Sequence, residues 1–94
     1  MLLLAIALLA AAPSAQEQAR SVLKRVGCQK CHDSKVSIAN TDALFVYDLQ
    51  NDKWAQGLDD KQLGQLLVRS ANASKEDLKI VRSFVDAEIK ARHP

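Results

Sequence analysis

The apolar residues of this 94-residue chain follow two different patterns. Residues 2–12 are an unbroken run of Leu, Ile and Ala, and no acidic or basic side chain precedes Glu17. After Gln16, apolar positions recur at intervals of three and four, which is the spacing of one face of an α-helix. The sequence therefore predicts an apolar leader followed by a domain of amphipathic helices.

The leader has the pattern of a secretory signal. Its eleven apolar residues are followed by the small residues Ser14 and Ala15, as at a cleavage site. The run is shorter than the ~20 residues that span a bilayer. We expect residues 1–15 to be a cleavable signal peptide, cut after Ala12 or Ala15, and the chain to be exported, to the periplasm if the source is bacterial. No stable membrane span is expected after processing; the alternative is a buried helix of the mature fold.

Helical spacing is clearest at the two ends of residues 16–94. The first predicted helix ends at Gly27, a residue typical of helix C-termini, and its apolar positions are Ala19, Val22, Leu23 and Val26. The last runs from a Ser74 cap to about Ala91, and its apolar positions are Leu78, Val81, Phe84, Val85 and Ile89.

Two further segments lie between them. A helix is predicted from an Asp59 cap, with apolar positions Leu63, Leu66, Leu67 and Val68. Residues 41–49 fit a short helix or a strand, and we favour a helix because a single strand would have no partner. We expect all these apolar positions to lie in the core of an all-α fold.

Composition limits what such a domain can be. Residues 16–94 hold 32 apolar residues out of 79, about 40%, and one domain of this size has a marginal core. A bound group is therefore expected to complete it. The length excludes a large enzyme, and the formal net charge of +2 excludes a strongly basic nucleic-acid binder.

The chemistry lies in the segment Cys28-Gln29-Lys30-Cys31-His32. This C-x-x-C-H pattern is the attachment signature of c-type haem. Two thiols one short turn apart can add to the two vinyl groups of one haem, and the adjacent His32 then ligates the iron. We predict one covalent haem c held by Cys28 and Cys31, with His32 as the metal ligand, and no enzymatic activity.

Three other interpretations of the motif remain. A Cys28–Cys31 disulfide would close a very small loop and stabilise little. A thioredoxin-type pair requires a strand before the motif, where a helix is predicted. A zinc site would need Cys28, Cys31, His32 and His93 as its four ligands.

A helix leading into C-x-x-C-H and an amphipathic helix closing the chain resemble the class I cytochromes c, over residues 17–92. The resemblance implies a small helical fold wrapped around one covalent haem. It also implies that the first and last helices pack together, with Phe84 and Val85 as the aromatic–aliphatic pair between them. One-electron transfer to and from a redox partner protein is the implied activity.

The chain departs from that family on both sides of the iron. The usual sixth ligand is a methionine, whereas the only Met here is Met1. The sixth position is then open, or is filled by Asn72, His93 or a lysine, Lys53 or Lys61. An open position would suit the alternative function, a haem-based protein that binds or senses a small ligand.

The family's proline-containing loop after the haem histidine is also absent, since the only prolines are Pro13 and Pro94. Asn40, Ser37 or a backbone carbonyl near Ile38 would orient His32 instead.

Two sets of side chains have both a functional and an ordinary interpretation. Trp54 and Tyr47 would donate hydrogen bonds to haem propionates, or would simply pack in the core. Basic residues surround the motif and would steer an acidic partner, or would form a solvated helix face; they are Arg20, Lys24, Arg25, Lys30 and Lys35.

Overall fold

The computed structural model describes residues 13–94, which form five α-helices and no strand. The helices are α1 (Ala15–Arg25), α2 (Gln29–His32), α3 (Thr41–Val46), α4 (Asp60–Arg69) and α5 (Lys75–Arg92). The all-α prediction is confirmed for this part of the chain. The apolar run, and with it the predicted signal peptide, lies outside the described residues except for its last three positions.

Helix α1 has well-formed ends. The side chain of Ser14 caps its N-terminus by accepting a hydrogen bond from the Glu17 backbone N–H. At the C-terminus, Gly27 has φ +98°, in the left-handed region. The N–H groups of Gly27 and Cys28 donate to the carbonyls of Lys24 (3.2 Å) and Leu23 (3.0 Å), which is the Schellman arrangement. The predicted end of this helix is therefore confirmed.

Side-chain caps also fix the starts of α4 and α5. Asp59 and Gln62 form a capping box, in which each side chain accepts a hydrogen bond from the other residue's backbone N–H. Ser74 accepts a hydrogen bond from the Asp77 N–H. The Asp77 carboxylate also pairs with Arg25 at 2.7 Å, which ties the end of α1 to the start of α5.

The core lies where α1 packs against α5, and α5 also packs on α4. Phe84 and Val85 are buried in α5, as the expected pairing of the first and last helices requires. The other core residues come from α1, α4, α5 and the 47–58 segment: Ala19, Val22, Leu23, Tyr47, Leu49, Trp54, Ala55, Leu58, Leu63, Leu66 and Val81.

Residues 41–49 are helical only as far as Val46. Tyr47 already has extended backbone (φ −161°, ψ 150°), and the chain then runs across the core, where Leu49 is completely buried. The preference for a helix over a strand is confirmed for Thr41–Val46.

The expectation that every apolar position of the helices is core is wrong at three places. Phe45 is 93% exposed, Val46 42% and Val68 64%. Helix α3 has only six residues, and its consecutive apolar side chains point to different sides. Val68 follows Leu66 by two positions, a rotation of about 200° that points it away from the core.

No helix within residues 13–94 is long and apolar enough to cross a membrane.

Candidate functional site

The structure brings Cys28, Cys31 and His32 together around helix α2. The left-handed turn at Gly27 directs the chain from α1 into this helix, and Cys28 is its N-cap residue. Both cysteines are free thiols, Cys28 half-buried and Cys31 exposed. The motif follows a helix, as predicted, and not the strand that a thioredoxin-type pair requires.

These three side chains line one wall of a cleft of about 600 Å³. Its volume is in the range of small-molecule and cofactor sites. Apolar residues that precede the motif, follow it in α3, or lie on and before α4 complete much of the lining: Val26, Ala43, Val46, Leu58 and Leu66.

The ring of His32 is held by backbone carbonyl oxygens. Its Nδ1 lies 2.9 Å from the Ala43 oxygen and 3.1 Å from the Tyr47 oxygen. Because a carbonyl only accepts hydrogen bonds, Nδ1 must carry a proton, and in the neutral ring Nε2 then has a free lone pair. Histidines that bind metals are usually oriented in this way.

The prediction that Asn40, Ser37 or a carbonyl near Ile38 orients His32 is therefore wrong. Asn40 donates a hydrogen bond to the Ser37 hydroxyl instead, and no bond joins Ile38 to the ring. The acceptors come from residues 11 and 15 positions after His32, because the chain turns back through α3 before it reaches Tyr47.

Residues 47–50, which we call the strap, hold the motif at several points. In addition to the Tyr47 carbonyl, the Leu49 N–H donates to the His32 carbonyl at 2.7 Å. The Gln50 amide donates to both carboxylate oxygens of Asp33, at 2.9 and 3.0 Å. The ring of His32, its backbone carbonyl and the following residue, Asp33, are thus all bound to the strap.

Asp33 is the only carboxylate that the described residues bury completely. It is 2% exposed, accepts a backbone hydrogen bond from Lys35 at 2.9 Å, and lies 3.9 Å from the Lys24 ammonium group. With the Gln50 amide, these donors compensate for its lost hydration.

An aromatic series leads from His32 into the core. Tyr47 stacks on the imidazole at 3.8 Å with an interplanar angle of 4°. Trp54 lies 5.8 Å from Tyr47, and Phe84 lies 5.5 Å from Trp54. Trp54 is 2% exposed, and its indole Nε1 has no hydrogen-bond partner among residues 13–94. A buried donor without an acceptor is costly, and Trp54 is not among the residues that line the cleft.

Two ionisable groups on the wall that carries the motif have raised pKa values. Burial raises the pKa of the Cys28 thiol, while the Tyr47 hydroxyl beside it and the positive charge of Arg69 act in the opposite direction. The pKa of Tyr47 is also raised strongly, first by burial and then by the neighbouring Cys28. Both groups therefore remain protonated at neutral pH.

None of the candidates for a sixth iron ligand lines the cleft. Asn72 is exposed in the turn between α4 and α5, and Lys53 and Lys61 are exposed elsewhere. His93 pairs with Asp60 at the N-terminus of α4. The four residues proposed as zinc ligands are consequently not assembled, and within residues 13–94 no three His, Cys, Asp or Glu side chains form a metal-binding group.

The opposite wall of the cleft was not predicted. It is formed by α4, which presents Gln62, Gln65, Leu66 and Arg69 to the space. Their spacing of three, four and seven is one helix face, and this polar edge beside Leu66 was the signal in the sequence.

The basic residues near the motif divide into two groups. Arg20 donates to the Leu49 carbonyl at 3.1 Å, and Lys24 and Arg25 contact Asp33 and Asp77. Lys30 and Lys35 are exposed. Lys30 and Lys35 therefore have the placement expected of a solvated or partner-facing charge, and Arg25 is exposed as well, although it pairs with Asp77.

Comparisons of this chain with protein-family models, with curated proteins and with solved structures gave no match in any of the three.

Proposed function

We propose that this protein is a monohaem c-type cytochrome that transfers one electron at a time between partner proteins. The observation that carries the proposal is the geometry of His32. Its Nδ1–H is bound to two carbonyls, and its ring lines the same cleft as the Cys28 and Cys31 thiols.

The residues present fit a haem. Cys28 and Cys31 would form the thioether bonds, and the free lone pair of His32 Nε2 would ligate the iron. When bound, haem supplies an iron that is stable in two oxidation states one electron apart, ferric and ferrous. The chain would hold the imidazole in one tautomer through the carbonyls of Ala43 and Tyr47, and Leu58 and Leu66 would give the haem apolar surface to pack against.

We expect the redox partner to present an acidic surface to the basic residues around the motif. Lys30 and Lys35 remain exposed there, and their charges are available to a partner. Export, also proposed, would take the thiols to the compartment where c-type haem is attached.

The test is covalent attachment. The full chain is produced with a c-type haem maturation system, and haem is detected on a denaturing gel and by intact mass. We expect one haem per chain, one thioether in Cys28→Ser or Cys31→Ser, and none in the double variant. His32→Ala should alter or abolish the visible spectrum. His93→Ala, which changes the only other histidine, should leave it unchanged. A chain that emerges with two free thiols and no haem contradicts the proposal.

A second candidate is a haem protein that binds a small ligand. It is favoured because Asn72, His93, Lys53 and Lys61 all lie outside the cleft lining, which leaves the side opposite His32 without a strong protein ligand. Carbon monoxide separates the two functions. Rapid and complete binding to the reduced protein supports ligand binding, whereas no binding supports an electron carrier with a strong sixth ligand.

A further inference from the structure

The two walls of the cleft belong to separate parts of the fold. Helix α4 packs on α5 and makes no backbone contact with α2 among the described helices. The cleft therefore separates the wall that carries the motif from the α4 wall, which consists of Gln62, Gln65, Leu66 and Arg69. A group bound to His32 in this cleft would have α4 as the facing wall.

The polar side chains of the α4 wall are not equally available. Gln62 is engaged, because its Oε1 accepts the Asp59 N–H at 2.9 Å in the capping box. Gln65 and Arg69 are both exposed, and neither side chain has a hydrogen bond or ion pair with any of residues 13–94. One turn of helix thus presents an amide and a guanidinium with free donors.

The charge of Arg69 is not neutralised inside the cleft. No Asp or Glu is among the lining residues, and a guanidinium stays protonated at every physiological pH. Its charge acts on the motif wall, because Arg69 lowers the pKa of Cys28, which burial, the larger effect, raises. The guanidinium cannot ligate iron, because it has donors and no acceptor.

We propose that Arg69, with Gln65 beside it, forms a binding site for a small monovalent anion on the side of the cleft opposite His32. This inference rests on the second candidate function, a haem protein with an open sixth position, because the anion would bind at the haem that His32 holds. The ligand class is a linear or bent anion such as azide, cyanide or nitrite. One end of the anion lies towards the haem, and the other accepts hydrogen bonds from Arg69. A neutral diatomic ligand gains little from the same guanidinium.

The experiment compares anionic and neutral ligands in the haem-loaded protein. Azide affinity of the ferric form and carbon monoxide affinity of the ferrous form are measured from visible spectra. The variants are Arg69→Leu, Arg69→Lys and Gln65→Leu. Arg82→Leu is the matched control, because Arg82 is an exposed arginine of α5 outside the cleft.

We expect Arg69→Leu to weaken azide binding about 10-fold or more, the loss expected for a hydrogen bond to a charged group. Arg69→Lys should lose less because it keeps the charge, and Gln65→Leu should have a smaller effect. Arg82→Leu should match the unaltered chain, and carbon monoxide affinity should change less than twofold in all variants.

Three results would overturn the site. The first is unchanged azide affinity in Arg69→Leu. The second is an equal loss for azide and carbon monoxide, which would show that Arg69 pairs with a haem propionate or shapes the cleft. The third is no azide binding by the unaltered protein. Failure of the proposed function is seen separately, as absence of covalent haem, and removes the anion site with it.

Discussion

Two glycines with opposite roles give the sharpest test of the fold. Gly27 has φ +98° and joins α1 to the motif, whereas Gly64 lies inside α4 without a left-handed backbone. Replacing each with alanine should change stability in opposite directions.

The size of each effect follows from the local geometry. A Cβ at Gly27 would meet only Lys30 Cε, at 3.9 Å, so the cost is conformational rather than a clash. A left-handed residue with a Cβ costs ~1–2 kcal/mol, and the less flexible unfolded chain offsets about 0.4–1 kcal/mol of this. The Gly27→Ala variant should lose about 1 kcal/mol. A Cβ at Gly64 meets no atom within 4 Å, and alanine is favoured over glycine in a helix by about 0.8–1.0 kcal/mol.

Thermal unfolding followed by far-ultraviolet circular dichroism measures both changes. For a domain of this size, 1 kcal/mol corresponds to a Tm shift of about 4–8 °C. We expect Tm to fall by that amount in Gly27→Ala and to rise in Gly64→Ala. Covalent haem attachment should decrease only in Gly27→Ala, because Cys28 directly follows the altered turn. A higher Tm for Gly27→Ala, or a lower Tm for Gly64→Ala, would refute this reasoning.

Three further predictions concern the motif and its supports. In the haem-free protein with Cys31→Ser, the alkylation of Cys28 should require a higher pH than that of an exposed thiol, since burial raises its pKa and lowers its thiolate fraction. Adding Arg69→Leu should shift this alkylation profile to still higher pH, and an identical profile would show that Arg69 does not face the cleft. Replacing Asp33 with alanine leaves buried donors without an acceptor and should lower the free energy of unfolding by about 1–3 kcal/mol; a urea midpoint equal to that of the unaltered chain would argue against the network. Ser74→Ala removes the cap of α5 and should cost about 1 kcal/mol in the same urea assay, whereas Ser83→Ala on the exposed surface of α5 should cost little.

The ends of the long helices could be predicted because their signals are local. Ser74, Asp59 and Gly27 act on backbone groups within four residues, so each is readable from a short stretch of sequence. The same holds for the three-residue spacing of Cys28 and Cys31, which one turn of helix brings onto one cleft.

The supports of His32 could not be predicted for the opposite reason. Its hydrogen-bond partners are backbone carbonyls of Ala43 and Tyr47, and every residue has such a group. Only the path of the chain through α3 decides which carbonyls reach the ring. The exposure of Phe45 was missed because hydrophobicity alone does not show that α3 is too short to bury all its sides.

The α4 wall depended on the same long-range information. Arg69 and Gln65 share a face with Leu66, and this was visible in the sequence. That the face borders the cysteines is a property of the packing of α4 on α5, to which no short motif corresponds.

Because His32 is held by two backbone carbonyls, the two walls of the cleft differ in how well they tolerate mutation. A backbone oxygen is present whatever side chain occupies position 43, so a substitution there keeps that acceptor, whereas the side chain of Tyr47 also packs in the core and on the ring. The α4 wall is made of side chains alone, and two of them, Gln65 and Arg69, belong to neither the core nor the capping box. A library that varies positions 65 and 69 would therefore change what the cleft binds while the histidine keeps its tautomer and direction.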